Sequence, residues 1–250
     1  MTITLLTNYD KQSENFIKLS EYSLHCGTDY LAVKDAPQII SRLSPLRKIL
    51  DLGCGSGLAT RYLKKHFPDA QVIGADINQS MLKKAAIADP EGVYLHLQQS
   101  NDHIIYPFLA DDFDAVVCSF VVHENRTREE LELFFKNIAT LLRPEGLLLA
   151  WDVYKNLFQG TWLSIESLSP FNFAVEDGQP YTVNILPGNA EITGTYWGPE
   201  TLSKIASSFN LQCTNIHYPL AEKNPNIDWL DETLLAPYFV LELKKSSQTN

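Results

Sequence analysis

"KILDLGCGSGLAT" spans residues 48–60 and sets three glycines, Gly53, Gly55 and Gly57, into five positions behind a short apolar run. Glycine loses more conformational freedom on folding than any other residue, so three this close mark a backbone path closed to side chains. "KILDLG" reads as a buried strand and "LATRYLKKHF" as an amphipathic helix stopped by Pro68. A turn of this kind, from strand to helix N-terminus, aims backbone N–H groups at a polar or anionic ligand.

Working outward, the same rhythm repeats. "AQVIGAD" predicts a second strand, "QSMLKKAAIA" a helix ended by "DPEG", and "VYLHLQ" and "FDAVVCSF" further strands. Thr127 and Glu130 have capping-box spacing. Behind them Leu131, Phe134, Phe135, Ile138, Leu141 and Leu142 form one apolar helical stripe, which "RPEG" ends before the strand "LLLAWDV". Strands alternating with helices predict an α/β fold: a parallel sheet with helices on both faces and ligands beyond the carboxyl ends of the strands, where the winding reverses.

After Val153 the rhythm breaks. "QPYTVNILPGNAEITGTYW" predicts a β-hairpin turning at Pro187, Gly188 and Asn189. Gly198, Pro199 and Glu200 open another helix, and "LQCTNIHYPL" and "APYFVLELKK" read as two last strands. Residues 1–47 read as mostly helical. The division expected is therefore 1–47 as an N-terminal helical segment, 48–153 as the core, 154–197 as an inserted cap and 198–250 as a closing helix and strands.

The composition narrows the function classes. The 250 residues carry a formal charge of −10, a surface that repels phosphate backbones and anionic bilayers, so nucleic acid and membrane are poor partners. Cys26, Cys54, Cys118 and Cys213 lie far apart with no CxxC, which suits reduced thiols in a cytoplasm rather than zinc or a disulfide framework. The N-terminus has no signal-peptide pattern, and no apolar run approaches the roughly 20 residues of a membrane span. A soluble cytoplasmic monomer or homodimer acting on a small molecule is expected, with no metal site.

The glycine turn has informative company. Asp76 closes the second strand 19 residues after Gly57, where a carboxylate can accept hydrogen bonds from both hydroxyls of a ribose. A dinucleotide fingerprint requires a third glycine where Leu58 stands, and the acidic Asp51 just before the turn would repel a pyrophosphate. Asp51 instead suits a cation. The ligand read from these residues carries a ribose and a positive charge.

"ILDLGCGSG", "VIGADIN", "NDHIIYPF", "FDAVVCSFVVHE" and "LLRPEGLLLAWD", in that order, resemble the motif series of class I S-adenosylmethionine-dependent methyltransferases over roughly residues 46–153. The resemblance implies a doubly wound, mostly parallel seven-stranded sheet with an inserted cap. It also implies S-adenosylmethionine as cofactor and S-adenosylhomocysteine as product. By the same resemblance Gly53, Cys54 and Gly55 hold the methionine moiety, with Asp51 orienting it, while Asp76 takes the ribose and Ile77 lies against the adenine. Asp102 and the backbone of His103 fall where the family contacts the adenine, with Asn101 standing where a glycine is usual. Ser119 falls where a backbone group meets the cofactor's amino group. Tyr22, His25 and Tyr30 sit where the family often places a lid, and Tyr22 and Tyr30 are assigned to the cofactor site.

Methyl transfer from a sulfonium is an in-line displacement in which alignment at near-attack distance supplies much of the rate, so no catalytic triad is required. His123, after the fourth strand, is the candidate base, with a side-chain type that titrates near neutral pH; Glu124 is a weaker candidate. The aromatic-rich insert, including Trp151, Tyr154, Phe158, Trp162, Tyr181 and Tyr196, suits a pocket for a small, flat or apolar acceptor. The alternatives left open are a family member that binds the cofactor to regulate or to catalyse another reaction, and an NAD-dependent oxidoreductase. "WLDETLLAPYFVLEL" ends in a strand but points to no substrate.

Overall fold

The computed structural model describes residues 28, 30–100, 103–171, 174–186, 190–223 and 226–247. Its first sheet strand, β1 (Lys48–Leu52), is buried from Ile49 to Leu52 and has parallel neighbours on both sides, β2 (Gln71–Asp76) and β6 (Phe113–Ser119). A strand covered on both faces reads as a continuous apolar run, which is why "ILDL" does not alternate. Successive residues still point to opposite faces: Ile49 joins one hydrophobic cluster with Val117 and Trp151, and Leu50 joins the other with Val116 and Leu148.

Beyond these, β3 (Val93–His96) extends the sheet on one side, and β7 (Leu142–Val153), β12 (Tyr238–Lys245) and β11 (Leu211–His217) on the other. The seven-stranded order is β11-β12-β7-β6-β1-β2-β3, and β12 pairs antiparallel with both its neighbours. The chain thus winds outward one way from β1 and then returns to wind the other way from β6. The reversal leaves a crevice at the carboxyl ends of β1 and β6, where the glycine turn and Ser119 stand.

Several local expectations hold. The helix Arg128–Leu141 carries the capping box between Thr127 and Glu130 and buries Leu131, Phe134, Phe135, Ile138 and Leu141. Helix Pro199–Ser207 starts from Gly198 with proline in its first turn. β9 (Pro180–Ile185) and β10 (Ala190–Thr195) pair as an antiparallel hairpin, although Pro187, Gly188 and Asn189 fall outside the described residues.

Others need correction. "RPEG" does not precede β7 but lies within it, as a bulge: Phe113 faces Leu142 and Ala115 faces Leu147, so five steps on β7 match two on β6. Pro144 has no N–H to continue a helix, and Glu145 at φ +66 turns the surplus chain outward. "VYLHLQ" is divided after β3, and Gln98–Ser100 (β4) pairs antiparallel with His103–Ile105 (β5). The hairpin gains a third strand, β8 (Ile165–Ser167), that the sequence pattern did not mark.

Of the N-terminal segment, short helices at Tyr30–Val33 and Ala36–Ile40 are described, and Tyr22 and His25 lie outside the described residues. The late "WLDETLL" stretch also finds a structural role. Glu232 is fully buried and accepts from Thr28 Oγ1 at 2.8 Å, from the Leu163 N–H at 2.6 Å and from the Leu230 N–H at 2.8 Å. One carboxylate therefore ties Thr28 of the N-terminal segment to Leu163 of the insert.

Candidate active site

The turn after β1 is built by left-handed backbone. Gly53, Gly55 and Gly57 have φ of +74°, +52° and +79°. A Cβ on Gly53 would lie 2.3 Å from Val121 Cγ2, so conformation and space both require glycine there. The N–H groups of Gly53 and Cys54 donate to the Ala75 carbonyl at 2.8 and 3.1 Å, which pins the turn to the end of β2. Gly55 N–H donates to Asp76 Oδ2 at 2.8 Å, and Asn78 N–H to Asp76 Oδ1 at 2.7 Å. The Asp76 carboxylate is thus held in place by backbone donors from both the glycine turn and the start of the next helix. Burial pushes the Asp76 carboxyl up. Ile77, beside it, is 42% exposed, an uncovered apolar face next to a carboxylate.

Asp51 is fully buried. Thr60 Oγ1 donates to its Oδ2 at 2.6 Å, while Oδ1 is enclosed with no hydrogen-bond partner among the described residues. Burial, with Asp76 close by, pushes its carboxyl from 3.8 up to about 7. A buried acceptor left unpaired costs about 1–3 kcal/mol, and a cationic ligand would relieve both the orphan oxygen and the crowding of two carboxylates. Cys54 is buried in the turn with its thiol pushed up by burial, which leaves it no thiolate chemistry at neutral pH.

Across the crevice, Ser119 ends β6, and its Oγ accepts from Trp151 Nε1 at 2.8 Å. The short 3-10 turn Val122–Glu124 follows, with His123 buried. Asp152 on β7 grips that histidine twice: the backbone N–H donates to Oδ2 at 2.9 Å, and Nδ1 lies 3.1 Å from Oδ1. Burial works against a charged imidazole here. Asp152 and Glu124 outweigh it and push His123 from 6.5 up to about 10. The two carboxylates thus favour the protonated ring over the free base. Asp152 was not among the residues singled out from sequence. It pairs across 29 positions, from a strand to the turn after its neighbour, and its only local signature is a carboxylate within a buried run.

The remaining candidates separate. Asp51, Gly53, Cys54, Gly55, Asp76 and Ile77 cluster at the ends of β1 and β2, and Ser119 and His123 stand after β6. His103 opens β5, opposite Ser100, while Asn101 and Asp102 fall outside the described residues. Tyr30 is half-buried and packs against the core. Among the described residues no group of three His, Cys, Asp or Glu could hold a metal ion, and no helix is long and apolar enough to cross a membrane.

Residues 49–146 match the methyltransferase domain family. A trans-aconitate 2-methyltransferase of Yersinia pseudotuberculosis is 26% identical over 216 residues, covering 84% of this chain and 74% of that protein. An uncharacterized methyltransferase of Synechocystis sp. is 31% identical over 129 residues, 52% of this chain and 56% of its own. The crystal structure of a SAM-dependent methyltransferase from Methanosarcina mazei superposes with a TM-score of 0.60 at 17% identity, over 85% of this chain and 98% of that one. At that identity the likeness speaks to the fold.

Proposed function

We propose, from the premise that this chain is a class I S-adenosylmethionine-dependent methyltransferase, that it methylates a small aromatic or apolar metabolite bound between the strand ends and the insert. The cofactor supplies an electrophilic methyl group on a sulfonium. The observation that carries its placement is Asp51: an enclosed, unpartnered carboxylate oxygen suits a ligand that brings positive charge to the turn, as this cofactor does and a pyrophosphate does not.

In this reading Gly53, Cys54 and Gly55 line the methionine end. Asp76 accepts from the ribose hydroxyls, and exposed Ile77 lies against the adenine. Ser119 meets the amino group. Asn101, Asp102, His103, Tyr22 and Tyr30 are assigned to the same site from the motif resemblance. The residues around His123 form the acceptor side. Phe158 lies edge-on to Tyr181, Tyr196 and Phe171 with ring centroids 5.3–6.0 Å apart, an apolar wall suited to a flat acceptor. Water exclusion and alignment are the main tasks left to this chain.

The test is incubation with labelled S-adenosylmethionine and fractionated metabolite extracts, read by mass spectrometry. S-adenosylhomocysteine and a methylated product in one fraction support the proposal. Saturable cofactor binding without product from any fraction would favour a regulatory member of the family, and no binding would end both readings.

A further inference from the structure

Gly74 stands inside β2, a buried strand where glycine offers the sheet no side chain to pack and marks a close approach. The cofactor reading gives it no task. What approaches is Tyr94, its partner in the parallel register on β3. A Cβ on Gly74 would lie 2.8 Å from Tyr94 Cδ1, and one on Gly57 would lie 2.7 Å from the Tyr94 hydroxyl oxygen and 2.8 Å from Cε1. Gly92, in the turn before β3, faces the ring in the same way. Three glycines on separate segments thus yield their side-chain space to one phenol, which fills it. Polar bonds hold the ring there. Its hydroxyl donates to Asp89 Oδ2 at 3.2 Å, and Lys64 Nζ donates to the same oxygen at 2.6 Å. Asp89 closes the helix Gln79–Ala88 and Lys64 lies on the helix Leu58–His66, so the phenol is tied where the helices before and after β2 meet.

Resting on the cofactor site proposed above, we propose that Tyr94 is the positioning residue of the cofactor turn, setting affinity for S-adenosylmethionine through Gly57, Cys54 and Thr60 rather than by contact with the ligand. Gly53, Gly55 and Gly57 give the turn no side chains with which to lock itself, so its placement falls to whatever packs against it. The Ala75 carbonyl pins the first half, at Gly53 and Cys54. Tyr94 packs against the second half at Gly57, while Arg61 Nη1 donates to the Ser56 carbonyl at 2.8 Å. The same ring reaches the carboxylate end of the site. A Cβ on Gly74 would also lie 2.9 Å from both Cys54 Sγ and Thr60 Oγ1, and Thr60 is the donor to buried Asp51. Ring, turn and the partner of Asp51 therefore converge on one point. Leucine at 94 leaves Gly57 and Gly74 without the surface they rest on, whereas phenylalanine keeps that surface and gives up only the bond to Asp89.

The experiment uses the full chain and calorimetric titration of S-adenosylhomocysteine, with circular dichroism showing each variant folded at the working temperature. Tyr94→Leu is expected to weaken binding about tenfold or more, because a site group released from its support loses its geometry. Tyr94→Phe is expected to stay within about threefold of the wild type, a rescue by the ring alone. Ile205→Ala truncates the core under the helix Pro199–Ser207 and serves as the stability control. It is expected to lower the melting temperature and leave affinity unchanged. A second readout needs no ligand: with 15N-labelled glycine, the amide signals of Gly55 and Gly57 should move in Tyr94→Leu and hold in Tyr94→Phe and Ile205→Ala. Should the leucine variant not fold, Tyr94→Met takes its place with the same expectations. Wild-type affinity in Tyr94→Leu, a loss in Tyr94→Phe as large as in Tyr94→Leu, or an equal loss in Ile205→Ala overturns the proposal. Absence of binding to the wild type instead overturns the cofactor reading beneath it.

Discussion

Replacing Asp51 with asparagine separates what this residue costs the empty fold from what it contributes to the bound one. Its carboxyl rises from 3.8 to about 7 through burial first, with Asp76 adding to it. A carboxyl whose folded value lies above its unfolded one binds its proton more tightly when folded. Stability is therefore highest below the unfolded value, falls as pH climbs through about 4 to 7, and stays reduced above that. At 1.36 kcal/mol per unit the full penalty is about 4 kcal/mol, of which about 3 kcal/mol accrues between pH 5 and pH 8. Asp51→Asn keeps an oxygen for Thr60 Oγ1 to donate to and removes the titration. The cofactor-free variant should gain on the wild type by about 3 kcal/mol more at pH 8 than at pH 5, measured by urea unfolding. Its affinity for S-adenosylmethionine should fall at least tenfold, since the cation loses its partner. A stability difference that is the same at both pH values would refute the reasoning.

Three further substitutions probe neighbouring features. Asp76→Asn should weaken cofactor binding by about 1–3 kcal/mol in calorimetry, because the neutral side chain gives up charge-assisted bonds to the ribose; unchanged affinity would take Asp76 out of the site. Gly53→Ala places a methyl group 2.3 Å from Val121 Cγ2 at a φ of +74°, so it should both destabilise the fold by more than about 1 kcal/mol and abolish cofactor binding. Thr127→Ala removes the cap of the helix that follows the His123 turn. It should cost about 1 kcal/mol of stability and leave cofactor affinity intact, and a loss of binding would show the crevice to be coupled to that helix.

Features with a short sequence period were readable before any coordinates. The alternation of buried strands and amphipathic helices, the Thr127–Glu130 cap and the Gly198–Pro199 helix start depend on residues a few positions apart. Glycine, proline and capping side chains act at that range. What stayed hidden depends on distance in the chain. Asp152 meets His123 only after β6 and β7 pair, and Glu232 meets Thr28 across 204 positions. Neither carboxylate leaves a periodic trace. The raised proton affinity of His123 was hidden for the same reason, since the residue type sets a starting value and the buried neighbours shift it. The "RPEG" bulge was half legible: proline and glycine announced the helix end, but the surplus residues within β7 depend on a register with β6 that no local pattern encodes.

The most direct measurement is a calorimetric titration of S-adenosylmethionine at pH 7 into wild-type and Asp51→Asn protein, repeated in two buffers of different ionisation enthalpy. Saturable wild-type binding is predicted, with release of about half a proton that the asparagine variant does not show, because the arriving cation drives Asp51 to ionise. No saturable heat from the wild type, or the same proton count in both proteins, would contradict the placing of a cationic nucleoside against that buried carboxylate.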